Sequence, residues 1–249
     1  MSDSFRILIT FFLAVIFFFI HSYSSSYFTR LTKRKYFWLS FSGGISVSYV
    51  FIHIFPELSD AQNDIMQMNN PIVDFLDYHI YLISLIGFIL FYGLDSAARI
   101  SRENNVKQNN KDYAEKNVFL VHIISFAIYN FQIGYFLLHR ETPGLKSLLF
   151  FFAAMATHIM VNDFGLRNHF KHYYMNSGRW ILSVAVVLGW LSGVFLDVPK
   201  LVLDIMFAFI AGGMILNIIK EELPDERQSR FFGFASGCIV YSVLLLVID

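Results

Sequence analysis

The fold class this sequence predicts is an all-α membrane protein with eight transmembrane helices. Three observations lead there. Of the 249 residues, 56% are hydrophobic, 15% are charged and twenty-nine are phenylalanine, a balance that a water-soluble domain of this size does not reach. The apolar residues gather into runs near the length of about 20 residues that crosses a hydrocarbon core. The basic residues fall in alternate gaps between those runs, the pattern left by retention of Lys and Arg on the cytoplasmic side.

The runs cover roughly residues 6–23, 37–58, 78–98, 117–139, 145–167, 179–196, 200–221 and 230–248. The first has a weak positive leader and no clear small-residue cleavage pattern after it, so it reads as a retained span and not as a signal peptide. The second contains Gly43-Gly44 and leaves through Phe55-Pro56-Glu57-Leu58, where proline has no amide hydrogen with which to continue a helix. The third runs into a polar segment, 99–117, rich in asparagine (Glu103-Asn104-Asn105 and Gln108-Asn109-Asn110), which reads as a flexible loop. The fourth and fifth carry the polar residues considered below, and the sixth begins at Arg179. The seventh contains Gly212-Gly213 and leaves through Glu221-Glu222-Leu223-Pro224-Asp225. The eighth holds the single cysteine, Cys238, which offers no disulfide framework. No loop is long enough for a separate domain, so residues 1–249 are expected to form one helical bundle with its backbone polar groups satisfied inside the helices.

Charge sets the expected orientation. Arg30, Lys33, Arg34 and Lys35 follow the first run, and Arg99, Arg102, Lys107, Lys111 and Lys116 follow the third. Arg167, Lys171 and Arg179 follow the fifth, and Lys220, Arg227 and Arg230 the seventh. Only Arg6, Arg140, Lys146 and Lys200 lie on the other face, so both termini are expected to be external. The stretch from Ser59 to Asp77 contains four aspartates and no Lys or Arg, which agrees with an external position. Net charge is zero and the basic residues are scattered, which argues for topology and against nucleic-acid binding.

Runs two and seven share a layout in which paired glycines lead to an acid and proline exit. Glycine pairs let membrane helices approach closely. The two runs cross in opposite directions, so the expected arrangement is an inverted 3+2+3 repeat, with spans one to three related to six to eight and spans four and five as a central pair.

The central pair carries the chemical candidates. Residues at i, i+4 and i+7 share a helix face, which places His158, Asn162 and Gly165 on one stripe, with Asp163 about 100° further round. Removing a carboxylate or imidazole from water is costly unless a partner or cavity offsets it, so such residues mark a pathway by default. A structural reading stands beside this, because Asp163 lies four residues before Arg167 and the two could pair at the membrane edge. In the fourth run His122, Phe126, Tyr129 and Ile133 share a stripe flanked by Asn130 and Gln132. Imidazole suits zinc-like ions and oxygen groups suit harder ones. His53 and Glu57 are spaced i, i+4 at the outer end of span two, as are Asn217 and Glu221 at the inner end of span seven. Each pair reads either as an entrance or exit group or as a solvated helix end. His79, His139, His169 and His172 lie near span ends and read as interfacial.

With these residues in view, the chain resembles the ZIP (Zrt/Irt-like) metal transporter family over nearly its whole length. That family has eight spans, external termini and an inverted repeat around a central metal-bearing pair. Its fourth span reads His-Asn-x-Pro-Glu-Gly; here the stretch is Tyr129-Asn130-Phe131-Gln132-Ile133-Gly134, matching at Asn130 and Gly134. Its fifth reads His-Glu-x-Pro-His-Glu-x-Gly, against His158-Ile159-Met160-Val161-Asn162-Asp163-Phe164-Gly165, matching at His158 and Gly165 with an acid kept at Asp163. Tyr129 and Ile133 replace a histidine and an acid, Ile159 the metal-bridging acid, and Asn162 the second histidine.

The resemblance implies a multi-pass protein of the cell membrane that moves a divalent, zinc-like cation towards the cytosol by alternating access, with the lipid bilayer as its surroundings and a homodimer as its assembly. The metal-facing residues expected are His158, Asn162, Asp163 and Asn130 at the midplane, His53 and Glu57 at the outer end, and Glu221 and Glu222 at the inner end. The alternative expectation is the same fold with transport lost, acting as a scaffold or sensor. No cofactor and no enzymatic activity are expected, since no compact His/Asp/Glu set suits a zinc hydrolase.

Overall fold

The computed structural model describes residues 3–30, 35–67, 79–140, 143–222 and 231–248, and all regular structure among them is helical. The helices are α1 (Asp3–Arg30), α2 (Lys35–Tyr49), α3 (Phe55–Met66), α4 (His79–Asn109), α5 (Lys116–Phe136), α6 (Leu145–Phe170), α7 (Arg179–Phe195), α8 (Lys200–Asn217) and α9 (Phe231–Ile248). Three single π turns continue these helices, at Val50–Ile54 between α2 and α3, Tyr174–Gly178 before α7, and Ile218–Glu222 after α8.

Among the described residues six helical stretches are long and apolar enough to cross a membrane: Asp3–Tyr23, His79–Asn109, Lys116–Phe136, Leu145–Phe170, Tyr174–Phe195 and Lys200–Lys220. They correspond to six of the eight runs read from the sequence. The eighth run yields the shorter apolar stretch Phe231–Leu245. The second is divided between α2, a π turn and α3. Outward faces are apolar at helical spacing, as with Val121, Ile124 and Ile128 on α5, which are 55–59% exposed. Such belts suit a surrounding of lipid.

Two sequence expectations are corrected here. Pro56 does not end the helix; it sits in the first turn of α3, where a missing amide hydrogen costs little, and the helix runs on to Met66. Nor is 99–117 a loop throughout, since α4 continues to Asn109. Its asparagines make tertiary bonds: buried Asn105 donates from Nδ2 to the Tyr113 carbonyl at 3.0 Å and accepts from Asn109 at 3.0 Å. Arg99 and Glu103 pair at i, i+4, Arg102 reaches Asp112 at 2.6 Å, and the Glu115 amide donates to Ser101 Oγ. The polar composition reports a hydrogen-bonded helix end.

The most extensive contacts are α5 with α7, α4 with α8, and α2 with α9; α1 packs on α7 and α6, and α6 also meets α2. Glycine makes several of these seams possible. A Cβ on Gly44 would stand 2.2 Å from the Phe234 carbonyl oxygen of α9, and one on Gly189 of α7 only 1.8 Å from that of Phe131 of α5. The α1 and α7 seam is joined by polar groups instead. Trp190 Nε1 donates to Thr10 Oγ1 at 3.0 Å, Ser22 and Ser183 share a hydrogen bond at 3.0 Å, and Ser183 also reaches the Phe18 carbonyl. Hydroxyl bonding of this kind holds helices together where lipid offers no hydrophobic drive.

Candidate functional site

The candidate site lies where α5, α6 and α1 meet. Tyr129 and Asn130 are consecutive on α5, and Asn162 and Asp163 are consecutive on α6. Consecutive helical residues point about 100° apart. The two pairs therefore serve two neighbouring hydrogen-bonded groups.

The first group centres on His158, which is fully buried. Its Nε2 lies 2.9 Å from the Tyr129 hydroxyl and 2.9 Å from Asn162 Nδ2. The amide nitrogen is the donor to this ring nitrogen. The second group centres on His21 of α1, which is 1% exposed. Its Nδ1 stands 2.9 and 3.1 Å from the two carboxylate oxygens of Asp163, and its Nε2 stands 2.8 Å from Asn130 Oδ1. Asn130 is oriented by its own Nδ2, which donates to the Phe126 carbonyl at 2.8 Å, so oxygen is the atom turned to the ring. The ring thus bridges the Asp163 carboxyl group and the Asn130 amide oxygen.

The four midplane residues expected from the sequence are thus buried close together in two groups. Asn130 and Asp163 are joined through His21, while His158 and Asn162 bond directly. Ile133 and Ile159 are each 1% exposed in the apolar core. Among the described residues, no three His, Cys, Asp or Glu side chains form a group that could hold a metal ion.

Two small cavities hold further polar residues named above. One, of about 20 Å³, is lined by Tyr49, His53, Glu57, Arg140, Ser147 and three phenylalanines, so the expected outer-end residues do share a space. The other, also about 20 Å³, is lined by Asp95, His122, Asn162, His169 and Asn217 among others. Each is roomy enough for about one water molecule. In the second, His122 Nδ1 and Asn217 Nδ2 are buried without a protein partner. His169, read from the sequence as interfacial, also lines a broad pocket of about 440 Å³ with Arg99, Arg102, Glu103, Lys107 and Asp112. The side chains of Glu221 and Glu222 lie outside the described residues.

His21 is the residue that sequence reading missed. The signal was present, because an imidazole just after Phe17–Ile20 is as costly in hydrocarbon as His158. What the sequence hides is the partner, 142 residues further along the chain. No family model matches the chain, and no curated protein matches it.

Proposed function

We propose that this chain is a ZIP-like membrane transporter that carries a divalent, zinc-like cation towards the cytosol by alternating access along α5 and α6. The observation that carries this reading is the buried polar centre His158, Asn162, Asp163 and Asn130, with one small cavity against it lined by Asn162 and Asn217 and a second small cavity lined by His53 and Glu57. Intramembrane polar groups connected to cavities are what an ion pathway requires.

The proposed arrangement is eight spans in an inverted 3+2+3 repeat, and three features support it. Exchanging spans one to three with six to eight, and four with five, turns the α2 and α9 contact into that of α8 and α4. It likewise turns the α1 and α6 contact into that of α7 and α5. Close-approach glycines occur in both members of the first pair, Gly44 against α9 and Gly212 against α4. A π turn follows each of α2 and α8. Two packing groups then follow, one of α1, α5, α6 and α7 and one of α2, α3, α4, α8 and α9, whose relative rocking would open the pathway to alternate sides.

The test is metal flux in proteoliposomes containing the full chain. His158→Ala and Asp163→Ala are each expected to abolish zinc-dependent flux, and unchanged flux in both removes the proposed pathway.

A second reading, the same fold acting as a scaffold or sensor without transport, is favoured by the isoleucines at positions 133 and 159 and by the direct bonds that the polar residues make with one another. It predicts no divalent ion bound to the purified protein and no flux in the unmodified chain.

A further inference from the structure

Helix α4 is longer than a bilayer crossing requires. It has 31 residues, whereas about 20 cross the hydrocarbon, so a crossing that begins at His79 is complete near Arg99 and the last turns stand at head-group level. A pocket of about 440 Å³ opens on those turns, inside the range of about 300–1,000 Å³ that small-molecule sites occupy. Arg99, Arg102 and Lys107 outnumber Glu103 and Asp112 on its wall. The two acids do not fully answer the cations around them. Asp112 is shared between Arg102 at 2.6 Å and Lys171 at 3.2 Å, and Glu103 stands 4.0 Å from Arg99 with both side chains more than half exposed. An exposed pair of that kind contributes little, and a phosphate offers the arginine fork a bidentate partner in its place.

The same helix supplies an apolar approach to the pocket. Leu82, Ile86, Ile89, Gly93, Ala97 and Ile100 follow one another at three- and four-residue steps and are all exposed, so they form one outward stripe. A Cβ at Gly93 would meet nothing within 4 Å, which leaves the stripe open midway. Lys107 lies two turns beyond Ile100 on the same line, and Val106, 45% exposed, lines the pocket among the charges. An occupant with a phosphate at one end and an alkyl chain at the other matches both parts. We propose that this pocket binds the head group of an anionic phospholipid, with the phosphodiester held by Arg99 and Lys107 and an acyl chain laid along the α4 stripe. Basic pockets at the polar edge of membrane helices recognise acidic head groups by this chemistry. Because Arg99 and Lys107 belong to α4 and His169 to α6, a bound head group ties the two helix ends together. Such a site stands apart from ion movement along α5 and α6, and its occupancy does not depend on it.

Binding is read on the full-length protein in neutral detergent, by native mass spectrometry and thermal unfolding, with phosphatidylglycerol as the anionic probe and phosphatidylcholine as its zwitterionic counterpart. Phosphatidylglycerol is expected to bind roughly fivefold tighter or more and to raise the melting temperature. Arg99→Gln combined with Lys107→Gln is expected to erase that preference. Lys111→Gln combined with Lys116→Gln removes the same charge from exposed positions outside the pocket and is expected to keep it. No preference in the unmodified chain overturns the proposal. An equal loss in the two double variants also overturns it, because a general field and not a site would then hold the lipid.

Should the first double variant not fold, Arg99→Gln and Lys107→Gln are tested singly; each is expected to lose roughly half of the preference or more, and no loss in either overturns the proposal. Free glycerol phosphate separates the two sources of a phosphate. It is expected to displace the lipid only at an excess on the order of a hundredfold, since it lacks the acyl chain. Displacement at equal concentration overturns the lipid assignment in favour of a soluble phosphate ester. Ala97→Trp fills the stripe below the pocket and leaves the pocket's charges in place. It is expected to weaken phosphatidylglycerol binding roughly threefold or more, and unchanged binding overturns the placement of the acyl chain.

Discussion

Gly212 of α8 lies so close to Ser84 of α4 that a Cβ on the glycine would stand 1.8 Å from the serine carbonyl oxygen. The obstacle is backbone in a packed helix, which has nowhere to move without separating the helices. Gly212→Ala is therefore expected to destabilise the protein by about 2 kcal/mol or more, in the range of severe overpacking. Gly93 is the internal control, since a Cβ there meets nothing within 4 Å. Gly93→Ala is expected to be neutral or to stabilise by about 0.5–1 kcal/mol through helix propensity. Thermal unfolding of both variants in one detergent checks the pair, and similar effects would contradict the close-packed seam.

The Tyr129 hydroxyl and the Asn162 amide converge on one nitrogen of His158. Losing the tyrosine bond leaves that nitrogen with its amide donor, so Tyr129→Phe is expected to cost only about 0.5–1.5 kcal/mol. Removing both donors takes both of these bonds from the buried nitrogen and is expected to cost more than the sum of the single changes. A double-mutant cycle with Asn162→Leu reads this coupling, and strict additivity would show that the two donors act independently.

Trp190 Nε1 donates to Thr10 Oγ1 across the seam between α7 and α1. Thr10→Val removes the acceptor while nearly keeping the volume, leaving the indole N–H buried. A loss of about 1–2 kcal/mol is expected. Indole fluorescence is the second readout, expected to shift in this variant and to stay put in Thr157→Val, whose hydroxyl bonds only within its own helix.

Asp112 is an acidic group whose titration is set outside the membrane-spanning helices. A hydrogen bond from Arg102 holds its carboxyl below the usual carboxylate range, with Lys171 acting in the same sense. A depressed folded-state value stabilises above the ordinary carboxylate range and is lost as pH falls through the depressed value. The pair is well exposed and screened, so the effect is small. Asp112→Asn is expected to leave thermal stability at neutral pH almost unchanged, and to remove a small acid-side loss measured below about pH 4 at low salt.

Much of the fold could be read from the sequence because bilayer thickness imposes a length on apolar runs, and six of those runs appear as helices long enough to cross. What escaped was set by tertiary bonding. Composition at 99–117 gives no hint that Asn105 would reach Tyr113 and extend α4. Pro56 was misread because the π turn before it places proline in a first turn. At the site, the spacing of His158, Asn162 and Asp163 told which faces they occupy, but facing partners on α1 have no sequence proximity to announce them. His21 needed coordinates for that reason, as did the division of the polar residues into two groups.

The π turn at Val50–Ile54 gives chain length a role that residue identity cannot supply. A π turn holds one residue more than the helix needs, and everything beyond it is rotated relative to a continuous α-helix by about 100°. Glu57 lies past that turn and His53 within it, yet both line one cavity. Deleting a single residue from 50–52 would leave every side chain of α3 intact while turning the helix on its axis, carrying the acid away from the cavity. The cavity shared by His53 and Glu57 is in this sense an insertion written into the backbone, set by counting residues as much as by choosing them.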